Sequence, residues 1–209
     1  MNLITIPTNE EPDCLKVLIY PHYTFDPDLQ GDCKKEIQQK LSFFQNGLCA
    51  YCEQKLKGIF IEHFIPISIH PEFQLHWNNF LGVCSGVFWE HKPYVRSCSP
   101  YKENKLLALD PRRQDHIDSI YYDDDLNIHS SIEILDEDLK TLNLNCNKLV
   151  ERRSKKFKEI QDLFFDENNI SDEYIKTRCL ETISYLKNAK EEFSNCLIHA
   201  FYKLHNSFN

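Results

Sequence analysis

The chain alternates between segments with a clear hydrophobic rhythm and a central stretch with none. Residues 1–27 are irregular, interrupted by a short apolar run at Leu15–Tyr20. Over 32–46, Ile37, Leu41 and Phe44 recur at helical spacing, which predicts a helix with Asp32 as its N-cap and Gly47 as its stop. From 48 to 105 the rhythm dissolves into short apolar runs, paired cysteines, aromatics and several histidines. IDSIYY and LNIHS then flank Asp123–Asp125, predicting two strands joined by a turn. The last third reads as helix. Leu139, Leu142, Leu149, Phe157, Ile160 and Phe164 recur at loosely helical spacing within 136–165. Ser171 opens a second long helix, with Asp172 and Glu173 in its first turn where the macrodipole favours them. Its apolar positions, from Ile175 through Leu197 and Phe201 to Phe208, predict one stripe over about nine turns. Such a stripe can pack on the preceding helix and still offer surface to a partner or a second copy. The predicted organisation is a central domain over 1–130 and a helical docking or dimerisation region over 131–209.

Composition bounds what this pattern can do. The chain is 42% hydrophobic and 27% charged, enough for a packed core. No run approaches the roughly 18 apolar residues of a membrane span, and MNLITIPTNEEPDC shows no export signal, so a cytoplasmic protein with no membrane partner is expected. A formal charge of -8 argues against coating nucleic acid non-specifically. A nucleic-acid enzyme with this charge needs a local basic strip or a partner that supplies one. Lys148–Lys158 holds six basic residues against one acidic, which nominates Arg152, Arg153, Lys155 and Lys156. A solvated helix face explains them equally well. Arg112 and Arg113, after Asp110-Pro111, are further candidates for phosphate contacts, with an exposed loop as the alternative.

Nine cysteines, an odd number, argue against a complete disulfide framework. Cys14, Cys33, Cys146, Cys179 and Cys196 are read as buried free thiols. Cys49 and Cys52 form a C-x2-C knuckle in GLCAYCEQKL, a turn that presents two thiolates to one ion. Zinc takes four such ligands tetrahedrally, and a closed site contributes folding energy directly. No second C-x2-C follows. Instead Cys84 and Cys98 are separated by thirteen residues, as if a loop were inserted into the second knuckle. Cys49, Cys52, Cys84 and Cys98 are therefore the expected zinc ligands, with His91 in the inserted loop as a rival for the fourth place. A redox dithiol is disfavoured because no thioredoxin-like strand–helix context surrounds Cys49 and Cys52.

Between the two halves of this frame lie IEHFIPIS and WNNFLGVC. A C-x2-C, an acidic-His pair ahead of an apolar-Pro segment, and an Asn followed by apolar residues and Cys together resemble the HNH branch of the ββα-metal nucleases. His63 stands eleven positions after Cys52, Asn79 sixteen after His63, and Cys84 five after Asn79. CAYCE, IEHF and the split second pair are similar to the PtuB family of Septu anti-phage systems, as are LLALDP and LNLNCNKLVERR. The likeness covers roughly 46–160. It implies a mostly α protein with a small zinc-stapled ββα-metal (HNH) nuclease centre and a C-terminal helical hairpin.

Phosphodiester hydrolysis needs an activated water, neutralised phosphoryl charge and a stabilised leaving oxygen. A neutral imidazole can take the water's proton, a role expected of His63. Glu62 is a hard oxygen donor suited to Mg²⁺ or Mn²⁺. Asn79 is expected to hold the backbone of the His63 loop and so aim the ring. The wider group carries Asn after the last cysteine and Lys three residues later. Here Lys102 fits, but Ser99 replaces the metal-binding amide, leaving Asn104 or Glu103 as substitutes about one turn on. The remaining described roles are structural: Trp77 as core, and the other histidines as surface or packing residues.

The resemblance implies a metal-dependent endonuclease acting on DNA or RNA, tRNA included, as the effector of phage defence. It also implies a PtuA-like ATPase as gate, with a retron reverse transcriptase and its RNA/DNA in related systems. The rival from another class is a zinc-stapled adaptor without catalysis, which has no need of Glu62-His63.

Overall fold

A computed structural model describes residues 1–88, 93–165 and 171–208. Along the chain come α1 (Gly31–Phe44), β1 (Phe60–His63), β2 (Phe80–Val83), β3 (Val87–Phe88), β4 (Val95–Arg96), α2 (Ser99–Lys102) and α3 (Gln114–Asp118). Then follow β5 (Ile120–Tyr122), β6 (Ile128–Ser130), α4 (Glu133–Thr141), α5 (Asn147–Phe164), α6 (Asp172–Ala189) and α7 (Ser194–Asn206). Among the described residues the protein is mostly helical, with three antiparallel ribbons of two strands each.

Helix α1 begins at Gly31 with Gln30 as its cap, so Asp32 lies inside the first turn and is not the N-cap. Its end is a Schellman motif: Asn46 at φ 56° donates to Phe43 O (3.2 Å) and Gly47 to Ser42 O (2.8 Å). The stop is thus Asn46 in the left-handed region, and Gly47 completes it. The N-terminal segment is not tied down by packing alone, because Cys14 and Cys33 form a disulfide. This corrects the expectation of two free thiols. Cys14 and Cys33 lie 19 residues apart, with no local motif to pair them.

The strands at 120–122 and 128–130 pair around the Asp123–Asp125 turn as expected. Both helical stretches, however, divide. Within 136–165 the chain turns at 142–146, where Asn143 adopts φ 50°, separating α4 from α5. After Ser171, whose side chain caps α6 by accepting from Tyr174 N, the single long helix breaks at Lys190–Phe193. Lys190 and Phe193 take left-handed conformations, which cost roughly 1–2 kcal/mol each for a side-chain-bearing residue. Burial of Phe193, Leu197 and Phe201 as α7 folds back on α6 offsets that cost. The stripe is therefore mostly core: Cys179, Ile183, Leu186, Leu197 and Phe201 are buried. Leu197 and Phe201 are not a docking surface, and they share one hydrophobic cluster with Cys49, Cys52 and Cys98.

The ribbon β1–β2 stands between two cores. Its register pairs His63 with Phe80 and Phe60 with Val83. Successive side chains of a strand point to opposite faces. Leu81 and Val83 enter the large cluster, whereas Phe80 joins a smaller one with Ile37, Leu41 and Trp77. Trp77 is core as expected, its Nε1 donating to Pro7 O at 3.1 Å. Buried Gln45, at the end of α1, accepts from Gly82 N (2.7 Å) and donates to Gly82 O (2.7 Å). A Cβ on Gly82 would lie 3.2 Å from that amide, so glycine lets the helix end lock onto the strand.

Candidate metal centre and the strand beside it

The loop after α1 returns on itself, with Cys49 N donating to Gln54 O (2.8 Å) and Glu53 N to Cys49 O (3.1 Å). This presents Cys49 and Cys52 together. Cys84 follows the end of β2 and Cys98 precedes α2, where its N–H is pinned to Leu142 O at 2.8 Å. The four sulfurs all lie within 4.8 Å of one another. Three sulfur pairs stand at 3.7–4.0 Å: Cys52–Cys84, Cys84–Cys98 and Cys49–Cys98. Zn–S bonds of about 2.3 Å in a tetrahedron require sulfur separations of roughly 3.8 Å. The donor set and its spacing fit a structural metal such as zinc. Burial alone would raise the Cys49 thiol, but hydrogen bonds from Cys52, Cys84 and Cys98 outweigh it and hold Cys49 well below the ordinary thiol value. His91, the rival ligand, lies outside the described residues; Cys98 meets the other three sulfurs without it.

Glu62 leaves β1 on the side of this cluster. Its Oε1 accepts from Lys102 Nζ (2.6 Å) and Tyr51 OH (3.4 Å), and its Oε2 from Ser99 Oγ (2.5 Å). Lys102 is fully buried, and its ammonium also reaches His63 O at 3.3 Å. Burial, and next the charge of Glu62, push the Tyr51 phenol well above its ordinary value, so it remains a donor. Both Glu62 oxygens are thus engaged by side chains of the chain itself, and a divalent cation at Glu62 Oε2 and Ser99 Oγ would have to replace the hydrogen bond between them. Glu103 and Asn104 follow the end of α2 with exposed side chains, and among the described residues neither touches Glu62.

His63 leaves β1 on the opposite side. Phe25 meets its ring edge-on at 4.4 Å between centroids, and Phe80 at 5.2 Å. Its Nε2 lies 2.9 Å from Gln74 O. A carbonyl only accepts, so Nε2 carries the proton and the neutral ring's free lone pair is on Nδ1. Burial lowers the His63 pKa, partly opposed by the Gln74 carbonyl, which keeps the ring neutral near pH 7. Asn79 fixes the segment after His63: Oδ1 accepts from Ile65 N (2.8 Å), and Nδ2 donates to Ile65 O (3.0 Å) and Phe73 O (3.2 Å). Gln74 also accepts from Phe25 N through its side chain at 2.9 Å, joining the N-terminal segment to the histidine. Tyr51, Gln74 and Phe25 carried no sequence signal. Gln74 acts through its main chain, which residue identity does not encode.

The basic candidates separate. Arg153 is buried, donating to Leu126 O (3.0 Å) and Leu144 O (2.7 Å), so it belongs to the core and leaves the expected strip. Arg112 clasps both oxygens of Asp110 at 2.8 and 2.9 Å, and also reaches Asn78 O. Arg113 pairs with Asp115 (2.6 Å), Lys156 with Glu191 (3.1 Å), and Lys155 reaches Glu159 at 3.9 Å. Arg152 lies with its guanidinium 4.8 Å over the Phe88 ring, at the edge of a cleft. No protein-family model matches the chain, and a search of curated proteins finds no match.

Proposed function

We propose that the protein is a zinc-stapled phosphodiesterase of the HNH type, an endonuclease in which His63 is the general base. The observation that carries this reading is the His63 Nε2–Gln74 O contact, since it leaves Nδ1 as the single basic nitrogen of a neutral, oriented ring. In the proposed step, water attacks phosphorus while Nδ1 takes its proton; the P–O bond to the leaving oxygen breaks and that oxygen departs as an anion to be protonated. Lys102, buried between Glu62 Oε1 and His63 O, holds the strand that carries both residues. Glu62 and Ser99 are the residues that would hold Mg²⁺ or Mn²⁺, which when bound supplies Lewis-acid stabilisation of phosphoryl and leaving-group charge. The substrate is DNA or RNA, tRNA included. The resemblance adds an anti-phage setting with a PtuA-like ATPase gate and, in related systems, a retron reverse transcriptase.

A second reading has its own support. Both Glu62 oxygens are engaged by side chains of the chain itself, as expected of a structural ion pair in a zinc-stapled adaptor. The two separate on His63→Ala, purified and assayed for folding, zinc and cleavage of phage DNA and total tRNA with Mg²⁺ or Mn²⁺. The enzyme reading expects wild-type folding and zinc with cleavage reduced by roughly 10²–10⁴. Unchanged cleavage by the variant would remove His63 from the role of base, and no cleavage by the wild type with any of these ions and its partner present would leave the adaptor.

A further inference from the structure

Beside the metal centre lies a cleft of about 380 Å³ that none of the roles above uses. Its floor includes Cys84 and Phe88; its walls are the Gln54–Gly58 loop, Phe60 of β1 and Arg152 of α5, with Glu192 on the rim. Among the described lining residues, the cations Lys55 and Lys57 face one carboxylate, Glu192, in a chain whose formal charge is -8. Glu192 is occupied in part by the Lys55 main chain, whose N–H it accepts at 2.5 Å. Lys55 and Lys57 are exposed, and neither side chain is ion-paired among the described residues. Exposed cations such as Lys55 and Lys57 on the wall of a cleft in an acidic protein attract a polyanion, because the potential is set locally.

The cleft also has an aromatic wall. Phe60 is 56% exposed at the start of β1, although it begins a ribbon whose other strand is buried along its whole length. Phe60 and Glu62 share a face of β1, two residues or about 7 Å apart. Exposed aromatic surface between basic side chains is what an unpaired base and its flanking phosphates need, since every base has a π-face and a duplex hides it.

We propose that this cleft is a binding site for single-stranded nucleic acid, with phosphates on Lys55 and Lys57 and a base on Phe60. The proposal rests on the phosphodiesterase reading for its purpose, but its binding test does not require cleavage. The probe is a fluorescein-labelled twelve-residue oligothymidylate, titrated with the zinc-loaded full chain without added Mg²⁺ or Mn²⁺ and followed by anisotropy at several salt concentrations. Lys55→Glu/Lys57→Glu should weaken binding at least about tenfold, and reduce the salt slope by roughly 1.4, two contacts at about 0.7 each. Phe60→Ala should weaken it about tenfold at constant salt slope. Lys158→Glu, a charge change on α5 outside the cleft, is the control and should have little effect.

Equal weakening by Lys158→Glu, equal affinity for a duplex of the same length, or displacement of the probe by polyglutamate at matched charge would overturn the proposal. So would a Phe60→Ala protein that binds like wild type. Cleft-dependent binding with no cleavage under any condition would support the cleft and defeat the phosphodiesterase reading alone. Cleavage of single strands that the cleft variants leave untouched would do the reverse.

Discussion

Lys102 Nζ lies 2.6 Å from Glu62 Oε1, with the two side chains only 1% and 8% exposed. Breaking such a buried pair from one side strands a charge, which costs roughly 3–5 kcal/mol. Lys102→Met should therefore be strongly destabilised, while Lys102→Met/Glu62→Gln regains most of the loss without regaining activity. Urea unfolding of the two variants checks this. A single variant within about 1 kcal/mol of wild type would mean the pair is not formed.

The cysteine cluster should hold about one zinc per chain. Cys98→Ser should lose the metal and much of the thermal stability, because the four-thiolate site and the fold form together. Metal content by emission spectroscopy and a melting curve decide the matter. Full zinc and an unchanged midpoint in Cys98→Ser would remove Cys98 from the ligand set.

Asn79 makes three hydrogen bonds to main chain at Ile65 and Phe73 and is 5% exposed. Asn79→Ala leaves buried peptide groups unpaired, at about 1–3 kcal/mol each for those that find no water. Activity should fall more than stability does at temperatures where the variant is folded, since the loop that aims His63 is released. Equal turnover per folded molecule would show that Asn79 supports only the fold.

Phe201 is fully buried where α7 meets the core, stacked on Phe165 and in tilted contact with Phe157. Phe201→Ala should cost about 3–5 kcal/mol. A well-folded variant with unchanged unfolding midpoint, defective instead in self-association, would restore the docking-surface interpretation of this helix.

Stability in acid should depend on Asp123. Burial pushes its carboxyl up, but hydrogen bonds from Asn127 and His129 outweigh that and hold it at about 2, below the ordinary 3.8. A folded-state value below the unfolded one gives stability that is fully present above pH 4 and lost as pH falls toward 2. Asp123→Asn should flatten this part of the acid unfolding profile while leaving the neutral range nearly parallel. Identical profiles for wild type and variant between pH 4 and pH 2 would refute the assignment.

Short-range patterns were legible in the chain itself. The C-x2-C knuckle, the Glu62-His63 pair, the Ser171 cap and the hairpin around Asp123–Asp125 each depend on neighbours in sequence, where spacing dictates geometry. So did the grouping of Cys84 and Cys98 with the knuckle, because zinc's four-thiolate requirement selects among the remaining cysteines. What required tertiary structure was everything set by packing between distant segments. The Cys14–Cys33 disulfide joins residues 19 apart, and the break at Lys190–Phe193 is stabilised by a core that periodicity cannot see. Arg152 and Arg153 are adjacent in a basic run, yet a helix turns about 100° per residue, sending one to the cleft and the other into the interior. The tautomer of His63 depends on the main-chain carbonyl of Gln74, eleven residues away, and every residue type carries that carbonyl. Residue identities specified which groups were available for chemistry; the packing of α1, the N-terminal segment and the β1–β2 ribbon decided which of them meet.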